Sequence, residues 1–256
     1  MKTVVVGASS GLGRSIAIGL GQRGATVALL ARRLDRLVDA AREAGPGALA
    51  IACNVTDEKL CKAAINEAAD RLGGIDALVY ATGVGPLGRL VDITAETWRH
   101  TFDTNVIGAA LATAAAIPHL TKSRGVAAYL SSVSASLTPP WPGLGAYATS
   151  KAALDTLVEA WRSEHPAVSF TRVVVGDCAG GEGASATEFV NEWDWNVAAE
   201  FHPIWEARNY LAGSLMDVDE LVRVVDTVLR CGATAHMPLV AVTPRPPVSP
   251  DQAGST

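Results

Sequence analysis

Cysteine is scarce in this chain and badly placed for cross-linking. Cys53, Cys61, Cys178 and Cys231 show no CxxC spacing and fall mostly in apolar or helical surroundings, which suits reduced thiols in a cytoplasmic protein better than a disulfide framework. The five histidines are equally dispersed, so no metal-ligand pattern is present. Long apolar runs are missing too. Nothing reaches the 18 residues of a candidate membrane span, and the opening MKTVVVGASSGLGR passes too soon into glycine, serine and Arg14 to read as a secretory signal. Basic surplus is also lacking. The 21 Lys and Arg against 26 Asp and Glu leave a net charge of −5, without the basic stripe that nucleic acid or an anionic membrane would require.

What is present is apolar residue in short, regular blocks. With 256 residues, 49% of them hydrophobic, the chain can bury one large core and fits a single α/β domain. Runs rich in Val, Ile and Leu alternate with helical patterns, the signature of βα units on a buried parallel sheet. Strands are expected near residues 3–7, 26–31, 48–53, 76–80, 126–131, 169–175 and 237–242. Helices are expected at about 12–23, 33–43, 57–72, 95–121, 146–164 and 217–230, with caps at Thr56, Thr94 and Asp217. The architecture is therefore doubly wound, with one domain over 1–243. Residues 176–215 break the rhythm and carry Phe189, Trp193, Trp195, Phe201, Trp205 and Tyr210. A segment of that length without clean alternation reads as a lid over a binding site. Residues 244–256 are rich in Pro, Ser and Gly and are expected to form a flexible tail.

The stretch VVVGASSGLGRSIAIGL follows the first strand and opens a helix, with Gly7, Gly11 and Gly13 spaced GxxxGxG. Glycines there permit a tight turn and let backbone amides approach a pyrophosphate, whose charge the helix N-terminus favours. The whole loop, Gly7, Ser9, Ser10, Gly11, Leu12 and Gly13, is thus a candidate cofactor site. The second strand ends in VALLARRLDRL. An NAD-preferring dinucleotide fold usually has an acid at that point, where this chain has Ala31; Arg32 and Arg33 offer guanidinium forks to a 2′-phosphate instead. NADP (NADPH) is the expected cofactor and NAD the less favoured one, with Arg32 expected to contribute more than Arg33.

Tyr147 and Lys151 stand at i and i+4 on an expected helix, so one ligand can meet both. A phenol titrates near 10. An ammonium and a positively charged nicotinamide beside it favour the phenolate, which makes tyrosine a usable acid or base. GASSGLG, NVIG at Asn105 and YATSK after a serine-rich strand end together resemble the classical short-chain dehydrogenase/reductase (SDR) family, and the motif order covers most of the chain. The resemblance implies a Rossmann-type fold of about seven parallel strands with helices on both faces, and a homodimer or homotetramer. It implies that Tyr147 donates or accepts the proton, that Lys151 holds the nicotinamide ribose and tunes Tyr147, and that Asn105 supports a proton-relay water. It also implies cofactor contacts from Asn54, Val55, Ala81, Gly83 and Gly176.

A serine should hydrogen-bond the reacting oxygen. The family's usual spacing of about thirteen residues before the tyrosine selects Ser134, whereas strand register selects Ser132, at the end of AAYLSS. Register fixes side-chain direction and a proline-rich loop absorbs an insertion cheaply, so Ser132 is preferred and Ser134 is the alternative. Three departures from the family pattern stand out. YATG replaces Asn-Asn-Ala-Gly, with Thr82 offered as a partial substitute. Asn54 replaces an aspartate that receives the adenine amino group, and its amide oxygen can still accept. Val175 precedes Gly176 without the customary proline between strand and loop. The expected function is an NADP-dependent oxidoreductase passing hydride between nicotinamide and a small-molecule carbonyl or secondary alcohol. A non-catalytic NADP-sensing protein and an SDR-type lyase or epimerase are the alternatives.

Overall fold

The computed structural model describes residues 1–231 and 234–247. The first half runs β1 (Lys2–Val6), α1 (Gly11–Gln22), β2 (Thr26–Ala31), α2 (Leu34–Ala44), β3 (Leu49–Ala52), α3 (Glu58–Leu72) and β4 (Ala77–Tyr80). After α4 (Ala95–Phe102) and a π-helical turn (Asp103–Ile107) come α5 (Gly108–Ser123), β5 (Val126–Ser132), the single turn α6 (Val133–Ser136) and α7 (Gly145–Glu164). Then follow β6 (Ser169–Val175), α8 (Trp195–Ala207), α9 (Val218–Leu229) and β7 (Leu239–Val242). The strands form one parallel sheet in the order β3-β2-β1-β4-β5-β6-β7. The chain steps outward from β1 to β3, then returns to lay β4 on the other side of β1. The crevice beyond the strand ends at this reversal is where open α/β sheets bind ligands.

Both faces of the sheet are buried because alternate residues feed two separate cores. Val4, Val6, Leu30, Leu78 and Tyr129 pack with Ile65 of α3, Ala112 and Ala116 of α5 and Leu154 of α7. Val5, Leu29, Val79 and Leu130 pack with Ile16 and Leu20 of α1, Leu37 of α2 and Val222 and Val225 of α9. The alanines of α5 let that helix lie close to its neighbours, as a buried helix requires. Strand positions agree with the sequence pattern to within two residues.

The differences lie between the strands. The helix expected over 95–121 is α4, the π-helical turn and α5 in succession. Residues 176–215, expected to lack regular structure, contain a 3₁₀ turn at Gly183–Ser185 and all of α8. Asp194 caps α8 by accepting from the Asn196 amide at 2.8 Å, and Ala198, Phe201 and Trp205 share its buried face. Pro203 inside the helix disguised that periodicity. Of the expected tail, residues 244–247 lie against the body: Ser214 Oγ donates to the Arg245 carbonyl at 2.6 Å. The rest of that tail, 248–256, falls outside the described residues.

Candidate active site

The loop between β1 and α1 is shaped by lack of side-chain room. Gly7 has φ +92°, and a Cβ there would lie 2.7 Å from both the amide nitrogen and Oγ1 of Thr82. A Cβ on Gly13 would lie 2.3 Å from the Gly7 carbonyl oxygen. Glycine at these two points lets α1 start directly over the end of β1, so its first amides face the crevice. That crevice is a cleft of about 1340 Å³. Its walls include Gly7, Ser9, Ser10, Gly11, Leu12 and Gly13 at one end, Arg32, Arg33, Asn54, Val55, Ala81 and Gly83 along one side, and Ser132, Ser134, Tyr147, Lys151 and Gly176 at the other. Of the residues the sequence singled out, Asn105 alone does not line it; it is buried behind the wall.

The two arginines, both lining the cleft, differ in what they touch. Arg32 is exposed and makes no side-chain hydrogen bond among the described residues. Arg33 turns into the cleft, where Nη2 donates to Ser9 Oγ and Ser10 Oγ, each at 2.9 Å. It also donates two bonds to Glu188, from Nη1 to Oε1 at 3.0 Å and from Nη2 to Oε2 at 2.7 Å. The reason is local. Arg33 is the extended N-cap residue of α2, so its side chain departs toward the glycine loop while Arg32 faces solvent. Arg33 first, and then Arg36 and Ser10, hold the Glu188 carboxyl far down, at about 2, against a smaller opposing effect of burial. Asn54, also in the cleft wall, accepts at Oδ1 from Thr56 N at 3.2 Å and Thr56 Oγ1 at 3.0 Å.

At the opposite end, α7 brings Tyr147 and Lys151 onto one face. Lys151 Nζ donates to the Leu130 carbonyl at 2.7 Å and lies 5.9 Å from the centroid of the Tyr147 ring. Burial pulls the Lys151 ammonium down to about 8, partly opposed by Asp155 one turn further along the helix. Burial pushes the Tyr147 phenol up to about 12, with the Ser132 hydroxyl acting in the opposite sense, although no formed hydrogen bond joins the two hydroxyls. Desolvation by the surrounding protein sets this direction, and the expected lowering requires a nicotinamide charge beside the ring as well as the ammonium. Ser132 ends β5 and caps α6, accepting from the Ser134 amide at 3.3 Å, with the two serine oxygens 3.0 Å apart. Asn105 is held by three bonds: Nδ2 donates to the Val84 carbonyl (2.9 Å) and Ser150 Oγ (2.8 Å), and Oδ1 accepts from the Val84 amide (2.8 Å). It braces the loop after β4 against α7.

A family model described as short chain dehydrogenase matches residues 2–193. The chain belongs to the short chain dehydrogenase family. It is 34% identical over 179 residues to 11-beta-hydroxysteroid dehydrogenase A of Sesamum indicum, a match covering 68% of this chain and 51% of that protein; the chain thus spans about half of that relative's length. A short-chain type dehydrogenase/reductase from Mycobacterium marinum superposes with a TM-score of 0.80 at 26% identity, covering 94% of this chain and 93% of that one. An alcohol dehydrogenase from Thermococcus sibiricus complexed with 5-hydroxy-NADP gives 0.77 at 22% identity, covering 94% of each, which shows the shared fold.

Members of the short chain dehydrogenase family bind nicotinamide cofactors, and the residues present here fit such a group. A cradle closed to a Cβ at Gly7 and Gly13, an N-terminus of α1 without a side-chain cap or an acid in its first turn, a guanidinium at the end of β2 and the buried Thr82 Oγ1 without a partner all face or border one cleft. The sequence reading missed several residues that shape it. Arg36 could have been found, since it stands one turn after Arg33 on the same helix. Glu188 carried no local signal, whereas Phe189 and Trp193 belong to the aromatic set that marks residues 176–215 in the sequence. Phe189 meets the Tyr147 ring edge-on at 5.0 Å, and Trp193 Nε1 donates to the Gly85 carbonyl at 2.8 Å. Behind them Trp141, Leu144, Phe201 and Trp205 form a third apolar core, so α8 and the residues before it are fastened by aromatic packing.

Proposed function

We propose that this chain is an NADP-dependent oxidoreductase acting on a carbonyl or secondary alcohol, with Tyr147 as general acid and base. The observation that carries the reading is convergence: Tyr147, Lys151 and Ser132 meet at one end of a cleft whose other end is the glycine loop with Arg33 beside it. The bound cofactor supplies or accepts the hydride. In the reductive direction Tyr147 gives its proton to the oxygen on which charge develops. Ser132 donates a hydrogen bond to that same oxygen, and Ser134 fixes the rotamer from which it does so. Lys151, anchored on the Leu130 carbonyl, holds the ribose of the cofactor close to Tyr147. Arg33 receives the 2′-phosphate, and Asn105 keeps the loop after β4 in place. The apolar surroundings supplied by Phe189, Trp193 and Trp205 favour a substrate with little charge.

Nicotinamide absorbance followed against a panel of ketones and alcohols tests the reading. Tyr147→Phe should lower turnover at least about 10²-fold with little change in nucleotide affinity, and Ser132→Ala should cost on the order of 10²-fold, with Ser134→Ala costing less. A charge-assisted hydrogen bond of about 1.5–3 kcal/mol implies that Arg33→Ala weakens NADP binding roughly 10- to 100-fold. NAD affinity should barely change, and Arg32→Ala should affect either nucleotide little. Substrate turnover without any change in nicotinamide absorbance would instead identify a lyase or epimerase.

A further inference from the structure

Arg33 and Arg36 are not waiting open for a phosphate, because Glu188 already lies between them. Its carboxylate takes both fork nitrogens of Arg33, one nitrogen of Arg36 and the Ser10 hydroxyl, the last at 3.0 Å. These partners come from β2–α2, from α2 itself and from the glycine loop, while Glu188 arrives from a segment more than 150 residues away in sequence. The same segment reaches further into the cradle. The Ala186 carbonyl accepts the Gly11 amide at 3.2 Å, and the position of a Cβ on Gly11 would lie 3.5 Å from the Thr187 Cα. A carboxylate in a bidentate guanidinium fork makes the contacts that a phosphate would make there.

We propose that Glu188 is a specificity-determining residue whose carboxylate competes with the 2′-phosphate of the cofactor for Arg33, Arg36 and Ser10, and so selectively weakens the phosphorylated dinucleotide. The inference rests on the NADP reading above and deepens it. Two anions within hydrogen-bond distance of the same guanidinium repel one another, so phosphate entry requires the carboxylate to leave. A ribose 2′-hydroxyl has no such conflict, since it can donate to the carboxylate in place. Because Glu188 is tethered, it competes at the high effective concentration of an intramolecular ligand. The selectivity for NADP is therefore smaller than two arginines alone would produce. Phe189 follows directly in the chain and rests on Tyr147, so displacement of Glu188 also loosens the cover over the phenol.

Calorimetric titration of wild type, Glu188→Gln, Arg33→Ala and the double variant with NADP⁺, NAD⁺ and adenosine 2′,5′-bisphosphate tests this without any turnover. Glutamine keeps the size of the side chain at a partly exposed site, and coincident unfolding midpoints would confirm that the fold is kept. The E188Q protein should bind NADP⁺ and the bisphosphate about two- to fivefold more tightly, as loss of one competing, partly exposed ion pair implies, with NAD⁺ unchanged within error. Measured against Arg33→Ala, the gain should be smaller in the double variant, where only Arg36 and Ser10 remain to be freed. Unchanged or weaker NADP⁺ binding by E188Q would overturn the inference, making Glu188 a support that orients Arg33. Equal tightening of NAD⁺ would also overturn it, since the segment would then obstruct the whole nucleotide. Loss of the NADP reading itself has a different signature: wild type would prefer NAD⁺ and Arg33→Ala would change neither nucleotide.

Discussion

Lys151 keeps only 4% of its surface accessible, and a charge so placed ties stability to pH. Its ammonium titrates at about 8 in the folded protein against an ordinary 10.5. Between those values the unfolded chain binds a proton that the folded chain does not, so stability rises with pH across this window. Below pH 8 the lysine is charged in both states, and folding bears the full cost of burying it. Lys151→Met removes the titration. The difference in unfolding free energy between the variant and wild type should therefore shift by about 2–3 kcal/mol in favour of wild type from pH 7 to pH 10.5. Urea denaturation of both proteins across that range checks it, and a constant difference would exclude Lys151 as the titrating group. At this scale the sequence carried much of the site. Strand register placed Ser132 at the end of β5, and helical spacing placed Tyr147 and Lys151 together. It could not show which of Arg32 and Arg33 turns toward the glycine loop, because that depends on one N-cap backbone conformation.

Among the elements, α8 and the π-helical turn had the weakest signals and do the positioning. Asn105 sits within the five residues Asp103–Ile107; the wider turn changes the direction of its side chain relative to an unbroken helix, as π-turns at functional sites do. The segment DTNVI has no composition that distinguishes a π-turn from an α-turn, so the pattern over 95–121 reads as one helix. Helix α8 is held to the body through Trp205, whose Nε1 donates to the Pro142 carbonyl at 2.8 Å and whose ring lies 5.7 Å from that of Trp141. Trp205→Ala should cost about 3–5 kcal/mol of local packing. That cost is borne by a unit outside the two sheet cores, so opening should be local. Hydrogen exchange is expected to accelerate across 195–207 and remain unchanged in β4, β5 and β6. Uniform acceleration would mean that α8 and the sheet unfold as one unit.

For the molecule as a whole, the two faces of the sheet are closed by helices and the ligand cleft opens only beyond the strand ends. A nucleotide in that cleft bridges the glycine loop, β2, the loop after β4 and α7, which belong to both halves of the fold. Ligand at 100 times its dissociation constant adds about 2.7 kcal/mol to stability. For a chain of this size that corresponds to a rise of roughly 5–10 °C in unfolding midpoint. At equal concentration NADP⁺ should raise the midpoint more than NAD⁺ does, and the gap should close in Arg33→Ala. Differential scanning fluorimetry reads this directly; equal shifts in wild type would count against the phosphate role of Arg33.

The strand and helix alternation, the parallel sheet and the glycine loop were determined by the sequence alone, because each follows from local periodicity or from the unique backbone freedom of glycine. Tyr147 with Lys151 belongs to the same class, since i and i+4 on a helix meet wherever that helix is placed. Tertiary structure alone decided that Glu188 meets Arg33, that Phe189 covers Tyr147 and that Asn105 braces Val84. These pairs lie far apart in sequence or join a side chain to another segment's backbone, and no local rule encodes such contacts. Only the packing of residues 176–215 onto the strand ends brings these charges together, so their pairing is a property of the fold.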